Sequence, residues 1–179
     1  MFITDALTFR EFAMAEDLPL ATLHTAVLEF LQGREDAILF GAQAVNAYVD
    51  DPRMTQDVDL LSSRAAELAE ELRTYLHQRF HIVLRVRRVA DGPGYRLFQV
   101  RKSGNRHLVD IHQVENLPGS QRIAQILVLT PEELIASKVL AYHRRRGQPK
   151  SGTDWRDLAL LLLRFPELKQ REGPVAERL

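Results

Sequence analysis

Phe40-Gly41-Ala42-Gln43-Ala44, followed at a short interval by Arg53-Met54-Thr55-Gln56-Asp57-Val58-Asp59-Leu60, is the stretch on which the fold turns. Immediately before it, Ala37-Ile38-Leu39-Phe40 is a short run of hydrophobes ending at a glycine, which predicts a buried strand running into a tight turn. Ala42 to Val49 reads as a helix of small residues. Beyond Asp50-Asp51-Pro52, the run Asp57-Val58-Asp59-Leu60-Leu61 alternates acid and hydrophobe at period two, which predicts a strand with one polar and one buried face. Asp57 and Asp59 then project from the same face with Cα atoms about 6.5 to 7 Å apart, from the rise of a strand.

Outward from this segment the elements follow by period. Upstream, Leu20, Leu23, Val27, Leu28 and Leu31 recur at helical spacing and Gly33 stops the helix. Downstream, Ser62-Ser63 closes the strand and offers a cap to a long helix over Arg64 to Phe80, whose stripe is Ala65, Leu68, Leu72, Tyr75 and Leu76. Ile82 to Val89, Tyr95 to Val100 and His107 to His112 are β-type runs, joined as hairpins by Asp91-Gly92-Pro93-Gly94 and Ser103-Gly104-Asn105. Thr130, with Pro131 next and Glu133 three residues on, predicts a capping box opening a helix to about Arg146. After the break Gly147 to Gly152 a last helix runs from Thr153 to Phe165, and the charged tail beyond Pro166 is expected to fray. This order predicts an α/β (α+β) fold: a mixed β-sheet flanked by helices, with a C-terminal helical hairpin. Residues 1–179 form one domain, with a core over about 35–112 and a helical part over about 130–166.

Composition agrees with one globular domain: 179 residues, 45% hydrophobic, 24 basic against 24 acidic side chains and no cysteine. A chain of this length buries roughly 70% of its unfolded surface, enough for a core without disulfides or structural metal. The missing cysteine excludes a cysteine nucleophile and a thiolate zinc site. Zero formal charge removes the composition-level argument for a nucleic-acid binder, leaving local patches. No apolar run approaches the roughly 20 residues of a membrane span, and Met1 to Arg10 lacks the order of a secretory signal, so the cytoplasm is the expected location.

Two same-face carboxylates can share a hard cation, Mg²⁺ or Mn²⁺, which takes protein carboxylates together with substrate phosphate oxygens. Asp110, in the middle of Leu108-Val109-Asp110-Ile111-His112, is the candidate third ligand of a two-metal site. His112 shares its face on a regular strand and His107 lies on the opposite one, whereas His24 reads as a helix-surface or boundary residue. Lys138 lies on the apolar stripe of Leu134, Ile135, Val139 and Tyr142, so its ammonium either snorkels to the surface or meets an acid. Asp154 and Asp157 fall in the first turn of the last helix, where they complement its dipole or else hold Lys138 or nearby arginines. Arg53 can orient carboxylates or reach a phosphate. The run His143-Arg144-Arg145-Arg146 with Lys150 is a solvated helix end, or a grip on RNA phosphates.

Taken together these motifs resemble the polymerase-beta-like nucleotidyltransferase superfamily, and more narrowly its minimal, AbiEii-type toxin branch, with an R-x-[ST]-x-D-[IV]-D-[LF] segment. Thr130 to Lys138 and Asp154-Trp155-Arg156-Asp157-Leu158 are similar to that branch's lysine helix and its following acidic segment, so the likeness runs from about Ala37 to Leu163. The resemblance implies a nucleotidyltransferase that moves NMP from NTP to an acceptor hydroxyl on RNA, protein or a small molecule. It implies that Asp57, Asp59 and Asp110 are catalytic and bind Mg²⁺ or Mn²⁺, Asp110 also taking the acceptor's proton. Gly41, Ala42, Arg53, Thr55 and Lys138 would bind nucleotide, and a partner antitoxin would exist. Ala42 replaces the usual second Gly or Ser of the turn and removes a hydroxyl. The competing expectation is a nucleotidyltransferase fold that has lost catalysis and serves as a nucleotide-binding or protein-binding module.

Overall fold

The computed structural model describes residues 18–90 and 92–179; Met1 to Arg10, read above for a secretory signal, lies outside them. Helix α1 (Leu20–Leu31) precedes β1 (Ile38–Phe40), α2 (Gly41–Asn46), β2 (Val58–Ser62) and α3 (Ala65–Phe80). Strands β3 (Leu84–Arg88), β4 (Gly94–Gln99), β5 (Arg106–Gln113), β6 (Ser120–Ile123) and β7 (Ile126–Leu129) follow. Helices α4 (Pro131–Arg144) and α5 (Ser151–Arg164) end the main fold as an antiparallel pair. The seven strands form one mixed sheet in the order β3-β4-β5-β2-β1-β7-β6. β2 pairs in parallel with β5 and β1 with β7, while the other neighbours are antiparallel.

The alternation read in β2 is real: Val58, Leu60 and Ser62 are buried, and the residues between them are only half-buried. The buried face carries Val109 and Ile111 of β5 and Leu97 of β4, and α3 packs across it with α1 against α3. Leu68, Leu72 and Leu76 of α3 have no exposed surface, which explains the helical stripe. On the opposite face α4 lies over Phe40 and Leu61, framing a cavity of about 250 Å³ together with Leu129, Ala136 and Leu140.

Several local expectations are corrected. The β6–β7 hairpin was not predicted; its two-residue turn, Ala124 and Gln125, has φ of 46° and 66° without the glycine or asparagine that advertises such a turn. No side chain caps α4: Thr130 Oγ1 is buried without a hydrogen-bond partner, the Thr130 N–H donates to the Gly119 carbonyl at 3.1 Å, and the Glu133 carboxylate accepts from Arg178 Nε at 2.5 Å. That contact also overturns the frayed tail, since Val175 is buried and two 3₁₀ turns, Pro166–Leu168 and Ala176–Arg178, follow α5. At the start of α3 Ser62 Oγ accepts from the Arg64 N–H at 3.0 Å, and Gln113 Oε1 accepts from the Ala65 N–H at 3.0 Å, so the cap comes from β5. α2 stops at Asn46, three residues before the predicted end, since Asn46 Nδ2 donates to the Arg53 carbonyl at 2.8 Å and its Oδ1 accepts from the Arg53 N–H at 3.0 Å. The asparagine thereby clamps the loop that leads into β2.

Candidate active site

Asp59 and Asp110 are register partners in the parallel β2–β5 pair, so both project from the face that α3 leaves free. Asp57 stands one residue before β2 and joins them. Ligand atoms of Asp57, His107 and Asp110 lie within 4.8 Å of one another, as do those of Asp59, Asp110 and His112. Gly41 opens α2 directly against this group: its φ is +68°, and a Cβ added there would lie 2.0 Å from Asp59 Oδ2. Only glycine allows the backbone so close to the carboxylate. Ala42 follows half-buried in the same first turn. At six residues α2 is too short for its dipole to matter, so the contribution of this turn is close approach.

Burial and charge crowding act together on Asp59. Burial, then repulsion from Asp57 and Asp110, pushes Asp59 up to about 6. Asp110 behaves oppositely: burial alone would raise it, but hydrogen bonds from His107 and Arg96 override that and hold it below the usual carboxylate range. Arg96, its cross-strand partner on β4, makes a forked contact, Nε to Oδ1 at 2.6 Å and Nη2 to Oδ2 at 3.3 Å. Sequence reading missed Arg96, because only the β4–β5 register reveals that it faces Asp110.

His107 is a second departure. A regular strand would put it opposite Asp110, yet its Nε2 lies 3.1 Å from Asp110 Oδ1 and its Nδ1 3.4 Å from Asp57 Oδ2. The reason is a β-bulge: Leu97 pairs with Val109 and Phe98 with His107, so Leu108 is an extra residue and Leu108 and Val109 are both fully buried. The extra residue returns His107 to the acidic face, where burial is outweighed by Asp110 and the imidazole pKa rises. His112 stands where the period predicted and meets Phe40 edge-on at 5.2 Å. His24 is not a surface residue: it is buried on α1, and burial lowers its pKa.

Beside the acids lies a second, buried polar cluster. Lys138 Nζ donates to Asp157 Oδ2 at 2.8 Å and lies 3.6 Å from Asp154 Oδ1. Arg53 grips the same Asp157 with Nε at 2.8 Å and Nη2 at 2.9 Å, while Arg145 Nη1 donates to Asp154 Oδ2 at 2.9 Å. Of the two readings open for Lys138, the acidic partner holds and snorkelling does not: the residue is 6% exposed. Asp154 and Asp157 accordingly hold the lysine and two arginines across α4, α5 and the loop before β2. Burial would raise Asp157, but Arg53 and Lys138 hold it low. Arg156 joins them, 3.9 Å from Asp157 Oδ1 and paired with Asp51, so four cations against three carboxylates leave one positive charge next to the acidic face. Thr55 is buried, and its Oγ1 accepts from Gln43 Nε2 at 3.0 Å, tying that loop to α2. Of the basic run, His143, Arg144, Arg146 and Lys150 are exposed.

These donors fit a divalent cation. Asp59, raised by burial and then by its neighbours, has no hydrogen-bond partner among the described residues, and the close acids repel each other until a cation intervenes.

A family model described as nucleotidyl transferase AbiEii toxin, type IV TA system, matches residues 25–173. No curated protein matches the sequence. Among solved structures, the Megavirus polyadenylate synthase is similar at 14% identity with a TM-score of 0.67, over 95% of this chain and 37% of that one. The chain therefore spans little more than a third of the viral enzyme. A nucleotidyltransferase-type protein from Helicobacter pylori is similar at 16% identity and a TM-score of 0.64, covering 89% and 73%. ANT(2″)-Ia, solved with adenylyl-2″-tobramycin, is similar at 14% identity and a TM-score of 0.53, covering 87% and 92%. At such identities the likeness to these structures is one of fold.

Proposed function

The chain belongs to the AbiEii nucleotidyltransferase toxin family, and from that premise we propose a metal-dependent enzyme that transfers NMP from NTP to an acceptor hydroxyl and releases pyrophosphate. The observation that carries this reading is the convergence of Asp57, Asp59 and Asp110 on one sheet face against the Gly41 backbone. These three carboxylates would hold Mg²⁺ or Mn²⁺, which when bound neutralises triphosphate charge and favours the acceptor oxygen as nucleophile.

The protein's own part is positioning and field. Gly41 keeps a side chain out of the space beside Asp59, and Ala42 adds only a methyl group, so the triphosphate would approach the acids closely. Arg53 and Lys138, fixed by Asp157, direct one net positive charge at the phosphates, and Thr55 keeps the loop carrying Arg53 in place. Asp110, held ionised by His107 and Arg96, is better suited to bind a cation than to take the acceptor's proton.

As a family toxin the enzyme would work in the cytoplasm against RNA or protein and be restrained by an antitoxin partner. No helix among the described residues is long and apolar enough to cross a membrane. The test incubates the protein with each labelled NTP, Mg²⁺ or Mn²⁺, and whole-cell RNA or protein. One pool should acquire label with the wild type and none with D57N/D59N; no label in any pool, with any NTP and either metal, would refute the proposal.

A further inference from the structure

The acids are not the only donors on this face. Two triads share Asp110: one adds Asp57 and His107, the other Asp59 and His112, and within each the ligand atoms lie inside 4.8 Å. Donors on one octahedral ion at about 2.1 Å stand about 3.0 Å apart along an edge and about 4.2 Å apart across it. His107 Nε2 and Asp110 Oδ1, now 3.1 Å apart across a hydrogen bond, stand at an edge distance, so that an ion binding there would displace the proton between them. The chain has built this placement: the Leu108 bulge spends an extra residue on β5 and turns an imidazole toward the acids. On the other side His112 is exposed and meets the edge of Phe40. Arg96 now shares Asp110 Oδ1 with His107, and its side chain, 42% exposed, has open solvent into which to swing when an ion arrives.

Resting on the reading of the carboxylates as a metal centre, we propose that this centre is a mixed nitrogen–oxygen site for two ions. Asp110 is shared between an Asp57–His107 pair and an Asp59–His112 pair, and the imidazoles favour a first-row transition ion over Mg²⁺. Mg²⁺ prefers an all-oxygen shell, whereas imidazole suits later divalent metals, and Mn²⁺ accepts both kinds of donor.

The test titrates the full-length protein with Mn²⁺ alone. Loss of the free-ion EPR signal counts bound ions, pulsed EPR detects ¹⁴N coupling to them, and Mg²⁺ competition gives the preference. The wild type should show ¹⁴N coupling and bind Mn²⁺ at least tenfold more tightly than Mg²⁺. H107Q should weaken Mn²⁺ about tenfold to a hundredfold and change Mg²⁺ binding less than threefold, and H107Q/H112Q should abolish the ¹⁴N signal. Circular dichroism and melting of each variant control for the fold, and the wild-type ¹⁴N measurement needs no variant at all. Bound Mn²⁺ without ¹⁴N coupling overturns the inference and leaves the carboxylate metal centre standing. A wild type that binds neither ion, with or without NTP, takes down the metal centre itself.

Discussion

Replacing Asp59 by Asn should stabilise the protein in EDTA, and the size of the effect follows from the burial of this carboxylate and the crowding of the acids around it. Asp59 is raised from 3.8 to about 6 by burial and by Asp57 and Asp110. Each pKa unit corresponds to about 1.36 kcal/mol, so the ionised native state carries a penalty of about 3 kcal/mol. The sign is set by linkage: a carboxyl whose folded pKa exceeds its unfolded pKa binds its proton more tightly in the native state. Stability therefore falls as pH rises from about 4 through 6, then levels off. Asn has nearly the same shape and no proton to lose, so D59N escapes that fall. The two proteins should melt within a degree or two of each other at pH 4, whereas at pH 8 D59N should melt about 6 to 12 °C higher, at roughly 2 to 4 °C per kcal/mol for this size. Thermal melts across pH in EDTA, repeated with Mn²⁺ or Mg²⁺ and NTP, make the measurement. Ligand should raise the wild type well above its EDTA value and raise D59N much less. A D59N protein melting below the wild type at pH 8 in EDTA would show that the carboxylate holds the fold through its own contacts, and the crowding argument would be wrong.

Gly41→Ala should lower stability by more than the 1 to 2 kcal/mol of a left-handed residue, because the new Cβ also drives into Asp59, and metal binding should fall with it. Gly33→Ala is the matched control: its φ is +75° with nothing within 4 Å of the added carbon, so urea melts of the two separate strain from collision. Asp157→Asn removes the shared partner of Lys138 and Arg53 and should cost about 3 to 5 kcal/mol in urea unfolding; a loss under 1 kcal/mol would mean that the cluster is not part of the fold's support. Tyr48→Phe deletes the 2.6 Å hydrogen bond to the Leu129 carbonyl and should cost about 1 kcal/mol, read from the same curves.

Where the sequence states a period plainly, the structure follows it: β2 alternates as Asp57 to Leu61 do, and α3 buries its leucine stripe. What escaped was information held between elements. Ile126 to Leu129 is four residues long and abuts the start of α4, while its partner Ser120 to Ile123 is polar at an edge, so neither carries a pattern of its own. The bulge at Leu108 was invisible because Leu-Val reads equally well as two alternating strand positions, and one extra residue moved His107 across the sheet. Asp110 was legible from its place in an apolar run; Arg96 was not, since nothing in Tyr95-Arg96-Leu97 states which residue it will face. The Lys138 partnership was open in the sequence, and α5 settled it by bringing Asp154 and Asp157 to the lysine.

The strand order also governs when activity can first appear during folding. Hairpins β3–β4, β4–β5 and β6–β7 join neighbours in sequence and close early, but none of them places one acid of the site beside another. Asp59 meets Asp110 only when β2 finds β5 across 51 intervening steps of chain, and Leu39 meets Val128 only across 89. Such non-local pairings form late, because loop-closure entropy opposes them until the local structure is in place. A nascent or partly unfolded chain therefore holds Asp110 apart from Asp57 and Asp59, and on the roles proposed for these acids nucleotidyl transfer becomes available only near the last step of folding.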